Sequence, residues 1–193
     1  MPTVERRTQA DRSARTRAAL ETAAIEVLVE QGWAAVTAIE VCHRSGVSRG
    51  AFHHHYPSRS QLLADALQRL YDELRAERPP PITNLVDLVD ATWAAIGNPR
   101  FKAVVEAWLA MANDPALRAE IGPVVAEFAN LVGPEQLAPA ILPDEDTRAR
   151  YLMARETLLG LALGRAINGG RALGHEAKVL AELRHTLEAP TRA

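Results

Sequence analysis

Apolar residues recur along this chain at spacings of three and four, the period of a helix that buries one side. Between Gln9 and Gln31 the stripe is Leu20, Ala23, Ala24, Val27 and Leu28, and Gly32 follows as a C-cap. Thr37 is a good N-cap residue with Glu40 three positions on, which predicts a capping box and a short helix stopped by Gly46. Ser48 opens a second short helix that runs to about Tyr56. Pro57-Ser58 restarts the chain, and Ser58 caps a longer helix through Leu62, Leu63, Ala66, Leu67, Leu70 and Leu74. That helix ends before Pro79-Pro80-Pro81, the clearest breaker in the sequence.

Beyond the prolines every patterned segment reads as helix. The expected spans are about Ile82–Ile96, Phe101–Ala112, Ala116–Leu131 with a kink at Pro123, Glu145–Leu173 and Glu176–Glu188. A loop carrying Gly133, Pro134, Pro139 and Pro143 separates the third from the fourth. Neither an alternating strand pattern nor an internal repeat is present. The fold class is therefore all-α, with a small helical head at residues 1–57 and a helical body at 58–193.

Composition narrows the field only slightly. The 193 residues are 48% hydrophobic and 24% charged, as in ordinary folded proteins, and only 5% are aromatic. One cysteine, Cys42, cannot form an internal disulfide. No apolar run approaches the roughly 18–20 residues that a membrane span needs, and a cytoplasmic protein is expected. Net charge is −2, but residues 1–60 hold eight Arg against six Asp or Glu, and four of the six histidines. The sign of that asymmetry suits a nucleic-acid-facing N-terminus.

The informative stretch is Thr37 to Leu63, TAIEVCHRSGVSRGAFHHHYPSRSQLL. Two short helices meeting steeply through a tight turn need small apolar residues on the first, here Ile39, Val41 and Cys42. The turn needs a residue tolerant of positive φ, Gly46, and an apolar plug, Val47. On the second helix Phe52 and Tyr56, four apart, pack inward, leaving Arg49, Gly50, His53 and His54 outside. Gly50 costs a helix roughly 1 kcal/mol relative to Ala, so something is expected to approach the backbone closely there.

In this register the stretch resembles the DNA-binding domain of TetR-family regulators. Thr37, Ser45-Gly46-Val47-Ser48-Arg49-Gly50, His53-His54-His55-Tyr56, Pro57-Ser58-Arg59 and Leu62-Leu63 follow the family pattern. Four positions depart: Cys42 stands for the usual Ala, His53 for Tyr, Tyr56 for Phe and Arg59 for Lys. The resemblance implies that Thr37, Ser48, His53 and Arg59 hold phosphates while Arg49, Gly50, Ala51 and His54 face base edges. A histidine at 53 donates only through a ring N–H, so that contact is expected to weaken or to depend on pH. Arg6, Arg7, Arg12, Arg15 and Arg17 are expected to reach the adjacent groove or backbone.

In the body, Trp93, Phe101, Trp108, Met111 and Phe128 fit either a filled core or a pocket for a largely apolar small-molecule effector, which the resemblance implies. The run Leu158-Leu159-Gly160-Leu161-Ala162-Leu163-Gly164 is apolar all round, which predicts burial on every side. A homodimer is expected through Leu159, Gly160, Leu163, Gly164 and Ile167, joining this helix and the last one to a partner's in a four-helix bundle. The alternative is a central core helix. The three consecutive histidines point ~100° apart on a helix and cannot converge on one metal ion, so neither metal nor cofactor is expected. No P-loop, nucleophile elbow, G-x-G-x-x-G or H-E-x-x-H motif argues for an enzyme.

The function expected is sequence-specific regulation of transcription at a palindromic double-stranded operator, most simply by a repressor released by its effector. The alternative is a helical adaptor that binds only protein.

Overall fold

A computed structural model of the chain describes residues 8–76, 81–131 and 139–188, and all regular structure in them is helical. Helix α1 (Gln9–Gln31) begins in a complete capping box: Thr8 Oγ1 accepts from the Asp11 backbone N–H at 3.2 Å, and the Asp11 carboxylate accepts from the Thr8 N–H at 3.0 Å. Gly32, at φ 84°, ends α1 and leads through a 3₁₀ turn (Trp33–Ala35) into α2 (Ala38–Ser45). Helices α3 (Arg49–His55) and α4 (Arg59–Ala76) follow. The body consists of α5 (Leu85–Ile96), α6 (Phe101–Asn113), α7 (Pro115–Leu131), α8 (Glu145–Ile167) and α9 (Glu176–Glu188).

Most boundaries follow the hydrophobic pattern, and the exceptions have local causes. Helix α5 starts at Leu85 rather than Ile82, because Asn84 caps it by accepting from the Asp87 N–H at 2.9 Å. Helix α6 runs one residue further, to Asn113, and α7 starts at Pro115, where proline's missing N–H is harmless. Pro123 lies within α7. Helix α8 stops at Ile167, not Leu173. Asn168 caps it, and Gly169 and Gly170 at φ 67° and 83° turn their N–H groups back to the Ala166 and Arg165 carbonyls.

One contiguous core joins head and body. Helix α1 packs on α2, α4 and α6, and α4 also packs on α7, so α4 belongs to both regions. In the body α5 packs on α8 and α9, and α6 packs on α7 and α8.

Arg165 ties three body elements together. Its guanidinium forks onto the Glu176 carboxylate at 2.6 and 2.5 Å, donates to the Gly97 carbonyl and lies 5.1 Å from the Trp93 ring centre. These hydrogen bonds hold the buried Glu176 carboxyl below the usual glutamate range, against the opposing effect of burial. A folded pKa below the unfolded one means stabilisation that is complete above about pH 5 and lost as pH falls through the folded value. Denaturant unfolding of the wild type should therefore weaken between pH 6 and pH 3 more steeply than that of Glu176→Gln. Parallel pH profiles would refute this role for the pair.

The two helix-packing glycines should differ as well. A Cβ at Gly97 would sit 2.7 Å from both the Trp93 ring and the Trp93 carbonyl, whereas one at Gly164 meets only the Leu173 Cδ1, at 2.7 Å. Gly97→Ala should cost about 1–3 kcal/mol by overpacking, and Gly164→Ala distinctly less, because the Leu173 side chain can turn away. Equal losses in denaturant titrations would contradict this.

Candidate nucleic-acid interface

Every cap in the head is local, and the caps aim α2 and α3. Thr37 is extended at φ −110°, ψ 157°, and its Oγ1 accepts from the Glu40 N–H at 3.2 Å. The second half of the expected capping box is missing here. The Glu40 carboxylate instead accepts from Gln31 Nε2 at 3.3 Å and lies 3.8 Å from Arg44, which also bonds Glu30 at 2.6 Å. These pairs pin α2 to the end of α1. Gly46 takes the left-handed conformation, φ 68° and ψ 15°, that closes the turn, and Val47 is half-buried against the core. Ser48 caps α3 by accepting from the Ala51 N–H at 3.2 Å. A hydroxyl that accepts at a cap keeps its own proton free to donate, so Thr37 and Ser48, both exposed, can each offer an O–H to an anion.

Two of the three α2 residues expected inside are buried, Val41 and Cys42. Ile39 is 66% exposed and is corrected to the outer face: the α2 register that buries Val41 and Cys42 turns position 39 outward. Burial raises the Cys42 thiol pKa, with Arg49 pulling weakly the other way, which suits a core residue and not a reactive thiolate.

Helix α3 is anchored from beneath. Phe52 and Tyr56 are buried with ring centres 6.3 Å apart. The Tyr56 hydroxyl donates to Glu21 Oε1 at 2.7 Å, and Arg17 lies 5.7 Å from the Tyr56 ring centre. Burial, then the hydrogen bond to Glu21, pushes the Tyr56 pKa far above the ordinary tyrosine value. Arg69 approaches Glu21 Oε2 at 3.6 Å and bonds Glu73 at 2.9 Å, and Arg100 bonds Glu73 at 2.6 Å. A polar relay thus runs from the end of α3 through α1 and α4 to the start of α6. The sequence signal for it was Glu21, a charge at helical spacing with Ala24 and Leu28 on an otherwise apolar stripe.

With its apolar side held down, α3 turns Arg49, Gly50, His53 and His54 to solvent, and Ala51 is half-exposed. No neighbour lies within 4 Å of a Cβ built on Gly50, so this glycine fills no packing need inside the chain. The remaining predicted phosphate contact is placed differently. Arg59 is half-buried, its guanidinium 4.8 Å from the Trp33 ring centre and donating to the Trp33 carbonyl. Arg12 and Arg15 are exposed on the first turns of α1, and Arg6 and Arg7 lie outside the described residues.

Of the candidate effector residues, the structure brings Phe101 and Trp108 together edge to face at 5.6 Å. Phe101 is buried; Trp93, Trp108 and Met111 are half-buried. The Phe128 side chain lies outside the described residues. Nearby, the buried Thr92 and Tyr151 hydroxyls lie 3.0 Å apart between α5 and α8, a polar pair the sequence pattern did not single out. A groove of about 550 Å³ runs between α1 and α4, but its lining is charged, including Arg17, Glu21, Asp65, Arg69 and Glu73, and Trp93, Phe101 and Trp108 are not part of it.

On α8 the burial supplied by the chain itself is one-sided. Leu158, Leu161 and Ala162 are buried and Leu159 half-buried, but Gly160 and Leu163 are exposed. Gly164 is closed over by Leu173 of its own chain. Met153, Gly160, Leu163 and Ile167 fall on one stripe, with Met153 72% and Ile167 81% exposed.

With this geometry the comparisons agree. Residues 21–66 match the family model described as bacterial regulatory proteins, tetR family. Residues 21–66 thus carry a domain of the tetR family. It is 32% identical over 121 residues to the HTH-type transcriptional regulator CymR of Pseudomonas putida, covering 59% of this chain and 60% of the relative. It is 30% identical over 136 residues to BetI of Rhizobium meliloti, an HTH-type transcriptional regulator, covering 64% of this chain and 66% of that protein. In each case the match spans less than two thirds of the curated relative. Among solved structures, a transcriptional regulator from Rhodococcus sp. Rha1 superposes with a TM-score of 0.63 at 24% identity, over 89% of this chain and 95% of that one. The multidrug binding protein EbrR complexed with imidazole superposes with a TM-score of 0.61 at 23% identity, over 91% and 96%. At these identities the superpositions show a shared fold. No helix among the described residues is long and apolar enough to cross a membrane.

The caps and the exposed face should separate in stability measurements. Thr37→Ala and Ser48→Ala should each lower unfolding free energy by about 0.5–2 kcal/mol, while Arg49→Ala should stay within about 0.5 kcal/mol of wild type. A large loss with Arg49→Ala in denaturant titrations would mean that Arg49 serves the fold.

Proposed function

We propose that the chain is a sequence-specific DNA-binding regulator of transcription, not an enzyme, with residues 1–57 as the head and 58–193 as the body. The observation that carries this reading is α3 itself: its apolar residues are anchored on Glu21 and the core, while Arg49, Gly50, His53 and His54 face outward, Gly50 with no neighbour to accommodate. An exposed helix of this kind fits the major groove, where Arg reads guanine through two hydrogen bonds. Thr37 and Ser48 donate O–H groups to phosphates that fix the register, joined by His53 and Arg59, while Gly50, Ala51 and His54 approach the base edges.

The body works as a homodimer through the α8 stripe, together with α9. Gly160, Leu163 and Ile167 lie at its surface and half-buried Leu159 at its margin; half-buried Gly164 lies beside them and seats Leu173. Two heads spaced about one helical turn, ~34 Å, match a palindromic operator. A largely apolar small molecule, held near Trp93, Phe101, Trp108 and Met111, changes that spacing and releases the DNA, which makes the protein a cytoplasmic repressor. EbrR, which shares the fold, is described as a multidrug binding protein.

A titration with duplex DNA selected from a mixed-sequence pool tests the reading. Affinity should fall steeply with salt as counterions are released. Arg49→Ala should weaken specific binding by about 1–3 kcal/mol and relax one base position. Absence of duplex binding at low salt would refute the proposal and favour a protein-binding adaptor. Ile167→Glu should yield monomers in sedimentation at micromolar concentration and lose operator affinity, because one head alone makes half of the contacts. A variant that remains dimeric would move the interface elsewhere.

A further inference from the structure

The first residue of α4 is a cation in an unfavourable place. Arg59 is half-buried, has no carboxylate within 4 Å among the described residues, and stands at a helix N-terminus, the positive end of the helix dipole. Its Nε–H is sealed from solvent and meets no acceptor. Burial lowers its pKa, although an arginine stays charged. Among the described residues, the polar contacts that hold it come from Trp33: the indole face under the guanidinium and the Trp33 carbonyl accepting from one terminal nitrogen. In this position two of its five donors are withdrawn from a phosphate: the Nε–H is closed off, and one terminal N–H is committed to the Trp33 carbonyl.

Trp33 is in turn held from the body. Glu106 of α6 accepts the Trp33 backbone N–H at 3.0 Å, and its carboxylate also lies against Gly32, 3.3 Å from where a Cβ would be. One turn earlier, Lys102 donates to the Val29 carbonyl at 2.5 Å at the end of α1. Both residues sit on the helix that carries Phe101 and Trp108.

Given the DNA-facing α3 proposed above, we infer that Trp33 stores Arg59 in the DNA-free chain and that Glu106 is the positioning residue that sets its release. On DNA a phosphate supplies what the stored guanidinium lacks, an opposite charge and acceptors for its unused donors. Leaving Trp33 is the cost of that contact. Movement of α6 shifts Glu106, hence Trp33, hence the balance between the stored and the engaged arginine.

The test uses the full-length protein and a duplex that the wild type binds, with affinity measured over a range of salt. Arg59→Gln should weaken binding and reduce the salt slope by about one per head, one phosphate fewer. Trp33→Leu, which removes the indole face and leaves only the carbonyl at 33 to hold Arg59, should tighten binding by about three- to tenfold, the scale of an exposed to partly buried cation–π contact. In the Arg59→Gln background Trp33→Leu should change nothing. Glu106→Gln, which keeps the shape and weakens the hold on Trp33, should shift affinity in the same direction as Trp33→Leu, again only when Arg59 is present. Should Trp33→Leu fold poorly, Trp33→Phe, with its weaker ring quadrupole, should tighten binding to a smaller extent.

Equal effects of the Trp33 variants with and without Arg59 would overturn the inference, leaving Trp33 a packing residue. So would an unchanged salt slope in Arg59→Gln. Either result leaves the regulator reading intact, whereas a wild type that binds no duplex refutes that reading and removes the purpose of the store.

Discussion

The orientation of α3 depends on one buried carboxylate. Glu21 is 9% exposed in the middle of α1 and needs donors, because a buried charge without them costs several kcal/mol. It receives a hydrogen bond from the Tyr56 hydroxyl and an ion pair from Arg69, and these partners come from the end of α3 and from α4. A seven-residue helix has too few internal hydrogen bonds to persist alone. It persists here because Phe52 and Tyr56 seat it at both levels, one by packing and one by packing plus a directed bond. The direction of that bond fixes the roll of α3 about its axis. Roll decides which side chains face out, so the presentation of Arg49 and His53 follows from a contact on the opposite side of the helix.

The same carboxylate begins the connection to the body. Arg69 joins Glu21 to Glu73, and Arg100, next to α6, completes the line. Two residues further along, α6 reaches α1 directly: Lys102 meets the Val29 carbonyl near the negative end of α1, a favourable place for a cation, and Glu106 takes the Trp33 N–H. Over the apolar core that joins head and body, the charged contacts of α6 and Arg100 cluster at the α1–α2 junction and at α4. Apolar packing of α1 on α6 supplies cohesion beneath them.

Much of the head was legible in the chain. Thr37, Gly46 and Ser48 announce their conformations because the cause is local: a hydroxyl reaches an N–H three residues on, and glycine adopts positive φ without strain. The ends of α5 and α8 were misplaced for local reasons too, since the Asn84 cap and the Asn168-Gly169-Gly170 turn were overruled by apolar residues beyond them in the pattern. What stayed hidden required a second segment. Ile39 could be assigned outward only once Val41 and Cys42 had been seated against the core. Glu40 completes no capping box because Gln31 and Arg44 claim its carboxylate, and Arg44 is itself held by Glu30 of α1. Arg59 reads as a surface cation until Trp33, 26 positions earlier, is brought beneath it.

Helix α8 shows how far a pattern of apolar residues alone can be taken. Seven consecutive apolar positions imply burial on all sides, and the chain by itself supplies it on one side only. Leu158 and Leu161 look into the body, Gly164 admits Leu173 from the turn after the helix, and Leu163 and Ile167 look out. The two glycines, alike in sequence, thus serve different partners: one is filled from within the chain and one is open. In the proposed pairing, the outward stripe meets its copy while the inward side carries α6. Helix α6 therefore lies between the surface that would set the distance between protomers and the contacts that hold each head. Glu106 and Lys102 are the contacts through which its position meets the end of α1. In the proposed pairing, the separation of two α3 helices depends on how α6 packs between α8 and α1.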